Sequence, residues 1–251
     1  MIPFRNLMFG RDWTAETRVL VAAMAVPPAG ARVAQIDTLI KSLKAADVWR
    51  LLDALYLLAG HDSQAARLNW KSPGAFTLSP SNAPTFLADR GYTGDGATSG
   101  LNGPNLATFG GQYALNNAHM GVWCGTDATE IVGDVGATLN VIRAHNGAAT
   151  CYLRANSGAV QPTISPATAV GHTLWSRDNS DSIEAYKNGV SLGTQALVST
   201  SISSAAFGVC YAGTGFSTKR IQAAHVGAAL TAAQIAALYA ALAIYMAALG
   251  A

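Results

Sequence analysis

From Gly30 onward the apolar positions return every three or four residues. Val33, Ile36, Leu39, Ile40 and Leu43 form one stripe, while Arg32, Asp37, Lys41 and Lys44 fall mostly elsewhere, which predicts an amphipathic helix. Asp47 then stands as the N-cap of a second helix carrying Val48, Trp49, Leu51, Leu52, Leu55, Tyr56 and Leu58. That segment is apolar nearly all round, so it is expected to be buried on more than one side, with Gly60 as its C-cap. Asp62 caps a short helical piece through Leu68. Residues 30 to 70 therefore predict a small helical module. Upstream, Arg18 to Ala22 fits a strand or a helix, and Pro27-Pro28 ends it either way.

The period changes after Lys71. Pro73, Gly74, Pro80, Asn82 and Pro84 punctuate a linker-like passage, and no helical stripe recurs until the C-terminus. Short alternating segments predict strands near 84–88, 97–101, 118–124, 137–144, 149–154, 170–176, 182–187, 190–197, 205–212 and 219–227. The clearest lies at Ser182 to Leu192, where Ile183 and Ala185 face one way and Ser182, Glu184 and Tyr186 the other. Asn188-Gly189 follows, and two residues that tolerate positive φ predict a type I′ hairpin turn. Strands at this spacing make an antiparallel sandwich or barrel. At the end, Thr231 and Gln234 form a T-x-x-Q capping box, and Ile235, Leu238, Leu242, Tyr245 or Met246, and Leu249 share a stripe. This Ala-rich helix lacks a flanking basic cluster and is too short for a membrane span, so it is expected to pack on the sandwich or on a symmetry partner.

Charge narrows the function. Only 12% of the 251 residues are charged and the net charge is +2, so no broad basic face for phosphate backbones is implied. Cys124, Cys151 and Cys210 lie far apart with no C-x-x-C spacing, which reads as buried thiols rather than a zinc or redox site. The apolar run Val19 to Val26 follows Asp12 and Glu16 instead of a basic region, so it is not read as a signal peptide.

Several segments resemble a known family. Ser182 to Val190 (S-I-E-A-Y-K-N-G-V), Phe207-Gly208-Val209, Ile221 to Val226 and the helix start Leu230-Thr231-Ala232-Ala233-Gln234-Ile235 are similar to the C-terminal half of a concanavalin A-like, laminin-G-like jelly roll. Phe86 through Gly96 resembles the first strand and turn of such domains in tailed-bacteriophage proteins. Ile36 to Leu39, Lys44 to Trp49, Leu52 to Tyr56 and Leu68 to Lys71 resemble the segment preceding that jelly roll in phage and prophage structural proteins. The resemblance covers residues 15 to 250. It implies a mainly β protein, with a helical docking module over residues 1–70 and a jelly roll with a C-terminal helix over 71–251. It further implies a non-enzymatic virion component of a tail fibre, tail tip or head decoration, made in the host cytoplasm. The implied partners are other virion proteins, further copies of the chain, and glycans of the host surface.

Catalytic signatures are scarce. β-Glucan-cutting members of the superfamily use E-x-D-x-x-E, whereas Glu130 with Asp134 has the wrong spacing and Glu184 stands alone. His61, His119, His145, His172 and His225 make no H-E-x-x-H, and there is no G-x-S-x-G. Gly91 to Gly100 lacks the Lys-Ser/Thr of a phosphate loop. Asp178-Asn179-Ser180-Asp181 has the composition of a hairpin loop, with a calcium site as the alternative; no other cofactor is implied. Trp123, Trp175, Tyr92, Tyr113 and Tyr211 are potential sugar-stacking platforms, although strand aromatics also serve as core and cross-strand pairs. With Arg143 and Arg177 as polar partners, the candidate glycan-binding set is Trp123, Arg143, Trp175, Arg177 and Tyr211. A lectin-like carbohydrate-binding module outside any virion is the alternative, and a glycan hydrolase the third reading.

Overall fold

The computed structural model describes residues 12–130, 133–146, 150–159, 167–213 and 215–251. The helices are α1 (Ala15–Ala22), α2 (Gly30–Ala45) and α3 (Ala232–Ala248). The strands in chain order are β1 (Leu52–Leu57), β2 (Ser79–Ser81), β3 (Thr85–Leu87), β4 (Gly91–Thr93), β5 (Gly100–Asn105), β6 (Ala118–Cys124), β7 (Val135–Ala137) and β8 (Asn140–Asn146). They continue as β9 (Thr150–Ala155), β10 (Gly171–Arg177), β11 (Ser182–Lys187), β12 (Val190–Ala196), β13 (Ala206–Val209), β14 (Tyr211–Ala212), β15 (Gly215–Phe216) and β16 (Arg220–Gly227).

Two antiparallel sheets face each other as a β-sandwich of jelly-roll type. The larger runs β12-β11-β10-β6-β16-β4-β3, with β1 also on β16; the smaller runs β2-β5-β13-β7-β8-β9. Period-two alternation sends side chains to opposite faces of the large sheet. On β6, Met120, Val122 and Cys124 point into the core between the sheets, joined by Ile142, Leu153, Trp175, Ile183 and Phe207. The opposite face, carrying Leu174, Tyr186 and Ala223, is covered by Ile36, Ile40 and Leu43 of α2 and by Ile235, Leu238 and Leu242 of α3. The protein thus has three layers: helices, large sheet, small sheet.

The locally encoded elements sit where the sequence places them. Asn188 and Gly189 adopt φ of 51° and 77°, as a type I′ hairpin turn requires. At the start of α3, Thr231 Oγ1 accepts from Gln234 N (3.3 Å) and Gln234 Oε1 accepts from Thr231 N (3.0 Å). All three cysteines are buried and unpaired. No helix among the described residues is long and apolar enough to cross a membrane.

The expected second helix is a correction. Asp47 does not cap a helix start; it lies in the left-handed region (φ 58°) just past α2. A single 3₁₀ turn follows at Trp49–Leu51, and Leu52–Leu57 is a strand hydrogen-bonded antiparallel to β16. Ala54, Tyr56 and Leu58 enter the inter-sheet core, while Leu52, Leu55 and Leu57 enter the helix-side core. A segment apolar on every side suits a strand buried on both faces as well as a buried helix. The outer edge of β1 is closed by Asn69, whose Oδ1 accepts from Leu55 N (3.2 Å), and by Trp70 N donating to Leu55 O (2.8 Å). Gly60 consequently ends no helix; its Cα runs against Ala66, where a Cβ would collide with the backbone. The expected strand 205–212 is also split, because Cys210 (φ 64°) breaks it between β13 and β14.

Candidate functional site

The five residues proposed from sequence separate into three environments. Trp175 is fully buried between the sheets and offers no surface to a ligand. Arg177 is equally buried and acts as a clamp: Nε and Nη2 donate to Ala155 O (3.2 and 2.9 Å), Nη2 also to Leu197 O (2.7 Å), and Nη1 to Asn179 O and Ser180 O (3.1 Å each). Five carbonyl contacts engage the whole guanidinium, holding the ends of β9 and β12 and the 178–181 loop together. Trp123 lies on the helix side of the large sheet, stacked against His172 (6.0 Å) and Tyr239 of α3 (5.7 Å). Tyr92 and Tyr113 are structural as well: Tyr92 Oη donates to Ser63 O, and Tyr113 Oη lies within hydrogen-bonding distance of Asn156 Oδ1 (2.7 Å) and Asn140 Oδ1 (2.9 Å).

Arg143 and Tyr211 do come together. They line opposite banks of a groove of about 510 Å³ on the small sheet's outer face, and Arg143 shares its bank with Tyr152 and Arg154. Alternation builds the first bank. Ile142, Ala144, Cys151, Leu153 and Ala155 face the core, so Val141, Arg143, Tyr152 and Arg154 face out. Register pairs Arg143 with Tyr152 and Val141 with Arg154. Both guanidiniums accordingly flank one ring: Cζ of Arg143 lies 4.1 Å and that of Arg154 5.8 Å from the Tyr152 centroid.

The break at Cys210 builds the second bank. Val209 and Cys210 both point into the core, so the chain emerges with Tyr211 outward. The ring can lie down on the sheet because Gly100 and Gly208 lie beneath it; a Cβ at either would stand 2.7 Å from ring atoms. Phe216 stacks on Tyr211 (5.2 Å, 24°), and Tyr211 Oη donates to Asn102 Oδ1. Burial raises the Tyr211 phenol pKa, so it remains a neutral donor at physiological pH.

The groove therefore offers two aromatic surfaces, two guanidiniums and no carboxylate among its described lining residues. The carboxylates considered for catalysis are occupied elsewhere. Asp134 is fully buried, where desolvation raises its pKa, and accepts from Ala144 N (2.7 Å), Ser217 Oγ (2.7 Å) and Lys219 Nζ (3.1 Å). Glu130 accepts from the same Lys219 Nζ (3.0 Å), and Glu184 accepts from Ser191 Oγ (2.6 Å) on the other sheet. In the 178–181 loop, Asn179 Oδ1 accepts from Asp181 N and Ser182 N, an Asx-turn arrangement. Among the described residues no group of three or more His, Cys, Asp or Glu side chains is placed to hold a metal ion. Tyr152 and Arg154 were missed from sequence although the alternation Cys151-Tyr152-Leu153-Arg154-Ala155 marks both as outward. What was lacking was the register that sets them beside Arg143.

No known protein family matches the chain, and no curated protein matches it. Solved structures do. Trypanosoma rangeli sialidase in complex with 2,3-difluoro-KDN matches at TM-score 0.54 and 10% identity over 85% of this chain and 40% of that one. The same enzyme in complex with sialic acid matches at TM-score 0.54 and 11% identity, over 84% and 39%. The binding domain of Paraclostridial Mosquitocidal Protein 1 matches at TM-score 0.52 and 11% identity, over 74% and 52%. The chain thus spans about 40% of the sialidase's length and about half of that binding domain's. At these identities the likeness is one of fold: all share the β-sandwich described above.

Proposed function

We propose that this chain is a non-catalytic carbohydrate-binding module whose glycan lies in the groove between Tyr211 and the Arg143–Tyr152–Arg154 bank. One observation carries the reading: two tyrosine rings and two outward guanidiniums converge on a single concave site on the outer face of the sheet. Its volume falls within the roughly 300–1,000 Å³ usual for small-ligand sites. Sugar rings present apolar C–H faces and hydroxyl edges, and this wall complements both. The neighbouring structures lend support at the level of fold, since they are a sialidase in complex with sialic acid and the binding domain of a mosquitocidal protein. Arginines and tyrosines, with no carboxylate pair among the described lining residues, favour binding over hydrolysis.

The test is a glycan array followed by titration calorimetry on the best ligand. Wild type is expected to bind, and Tyr152→Ala and Tyr211→Ala each to weaken binding about tenfold, the equivalent of about 1.4 kcal/mol. A wild-type protein that retains no glycan, or variants that bind as well as wild type, would overturn the reading. The setting we propose is a tailed-phage particle, with residues 1–70 docking the chain to other virion proteins, and it rests on the sequence resemblance alone. Immunogold labelling of particles with antibody to the chain is expected to mark tail tips or fibres. An absence of label would remove the virion setting and leave the glycan reading in place.

A further inference from the structure

Elsewhere among the described residues, buried arginine donors without an acceptor occur singly, at Arg32 Nη1 and Arg220 Nε. Arg32 pairs with Asp89 and Arg50 with Asp47, and Arg177 is saturated by carbonyls. The groove is different. Arg154 donates from Nη1 to Thr138 O (3.1 Å), and among the described residues Arg143 lies over the Tyr152 ring. The Nε–H of each is buried with no acceptor among the described residues. A buried charged donor favours an arrangement that gives it an acceptor, and an oxyanion held in the groove would supply one. Stacking on Tyr152 holds both forks in place without consuming their N–H groups. The neutral Tyr211 phenol on the opposite bank adds no repulsion toward an anion.

Building on the glycan reading, we infer that the groove selects an acidic glycan, a sugar bearing a carboxylate or sulfate oxyanion, which Arg143 and Arg154 hold together. Charge-assisted hydrogen bonds to an oxyanion are roughly twice as strong as those to a neutral hydroxyl, and a planar fork fits two oxygens of one group. Tyr152 then has two roles: it orients both guanidiniums and presents its free edge to the sugar ring. Most of the groove's preference for acidic over neutral sugar resides in the two arginines, whereas Tyr152 supports both.

The experiment uses the full chain and four polysaccharides in affinity electrophoresis and calorimetry at fixed low salt. These are polygalacturonate (carboxylate), its carboxyl-reduced neutral form, dextran sulfate and dextran. The expected result is at least tenfold tighter binding of an acidic polymer than of its neutral counterpart. Arg143→Gln and Arg154→Gln should each reduce that preference, and the double variant should abolish it with an unchanged melting temperature. Carboxylate and sulfate are separated by which acidic arm binds. Equal binding of acidic and neutral polymers, or full acidic preference in the double variant, would overturn the inference while leaving a glycan site intact. If no polymer binds and the glycan array is blank, the glycan reading falls as well. Polyanion binding that Tyr152→Ala and both arginine variants leave untouched would mean nonspecific attraction to another surface, and would also overturn it.

Discussion

Three fully buried histidines make the protein's stability depend on acidity in a way that can be worked out from their hydrogen bonds. His119 on β6, His225 on β16 and His172 on β10 form a chain on the helix side of the large sheet. His119 Nδ1 meets the Ala228 carbonyl, its Nε2 lies 3.1 Å from His225 Nδ1, and His225 Nε2 lies 2.8 Å from His172 Nε2. A carbonyl only accepts, so His119 must donate from Nδ1 and accept at Nε2. His225 then donates from Nδ1 and accepts at Nε2, and His172 donates from Nε2. Every ring in this arrangement is neutral. Protonating His119 or His225 would bring two N–H groups face to face. Relaxation is blocked by packing: Gly121 lies beneath His225, and Trp123 and Tyr239 stack on His172. Lys187, whose Nζ donates to Ala169 O and Thr173 Oγ1, adds positive charge nearby.

Burial lowers His119 to about 4 and His172 to about 3, and holds His225 well below its ordinary value. Above pH 6.5 the folded and unfolded chains are both neutral at these sites, and the stability is fully present. Below it the unfolded chain takes up protons that the native chain refuses, so stability falls as pH falls. The slope is about 1.4 kcal/mol per pH unit for each histidine, or roughly 6 kcal/mol for three at pH 5. That is comparable with the whole stability of a typical domain, about 5–15 kcal/mol. Asp37, held to about 2 by its Lys41, Thr14 and Thr17 partners against the opposing effect of burial, loses its contribution only below the ordinary carboxylate range and leaves this window clear. Urea unfolding followed by tryptophan fluorescence at pH 7.5 and pH 5 checks the reasoning. Wild type should lose most of the roughly 6 kcal/mol, and His172→Phe, which keeps the stack, should lose about a third less. A wild-type difference below about 1 kcal/mol would refute it.

Two further predictions concern stability. Lys219→Met should destabilise by about 3–5 kcal/mol in chemical denaturation by stranding the buried Asp134, and adding Asp134→Leu should recover much of that loss; an additive double variant would show the two are uncoupled. A fragment of residues 71–251 should fail to melt cooperatively, because it lacks β1 and α2, leaves Ala223–Gly227 without its β1 partner, and exposes the apolar helix side of the large sheet. A sharp thermal transition with native circular dichroism would contradict this.

The sequence revealed most where structure is set locally. The Asn188-Gly189 turn, the Thr231–Gln234 box and the α2 stripe depend on neighbours within a few residues, and each appears as read. β1 was illegible because its residues are apolar toward two cores, which removes the period that separates strand from helix. The candidate site failed and succeeded for a related reason. Alternation shows that Trp175 and Arg143 each point to one face of a strand, but not which face is covered. Only the sheet order buries Trp175 and leaves Arg143 open. Arg177 looked like a surface donor because two of its four carbonyl partners, Ala155 and Leu197, lie on segments distant in sequence. Tyr152 and Arg154 needed the β8–β9 register to join Arg143, and Tyr211 needed the break at Cys210 to turn outward.

The central claim is that the small sheet's outer groove is the binding surface. Its most direct test is amide and side-chain chemical-shift mapping of the labelled full chain, titrated with an oligosaccharide selected on the array. The account predicts that the largest, saturable shifts fall on Arg143, Tyr152, Arg154 and Tyr211, with the helix side of the large sheet unmoved. Shifts centred instead on Trp123 and Tyr239, or on the 178–181 loop, would contradict it.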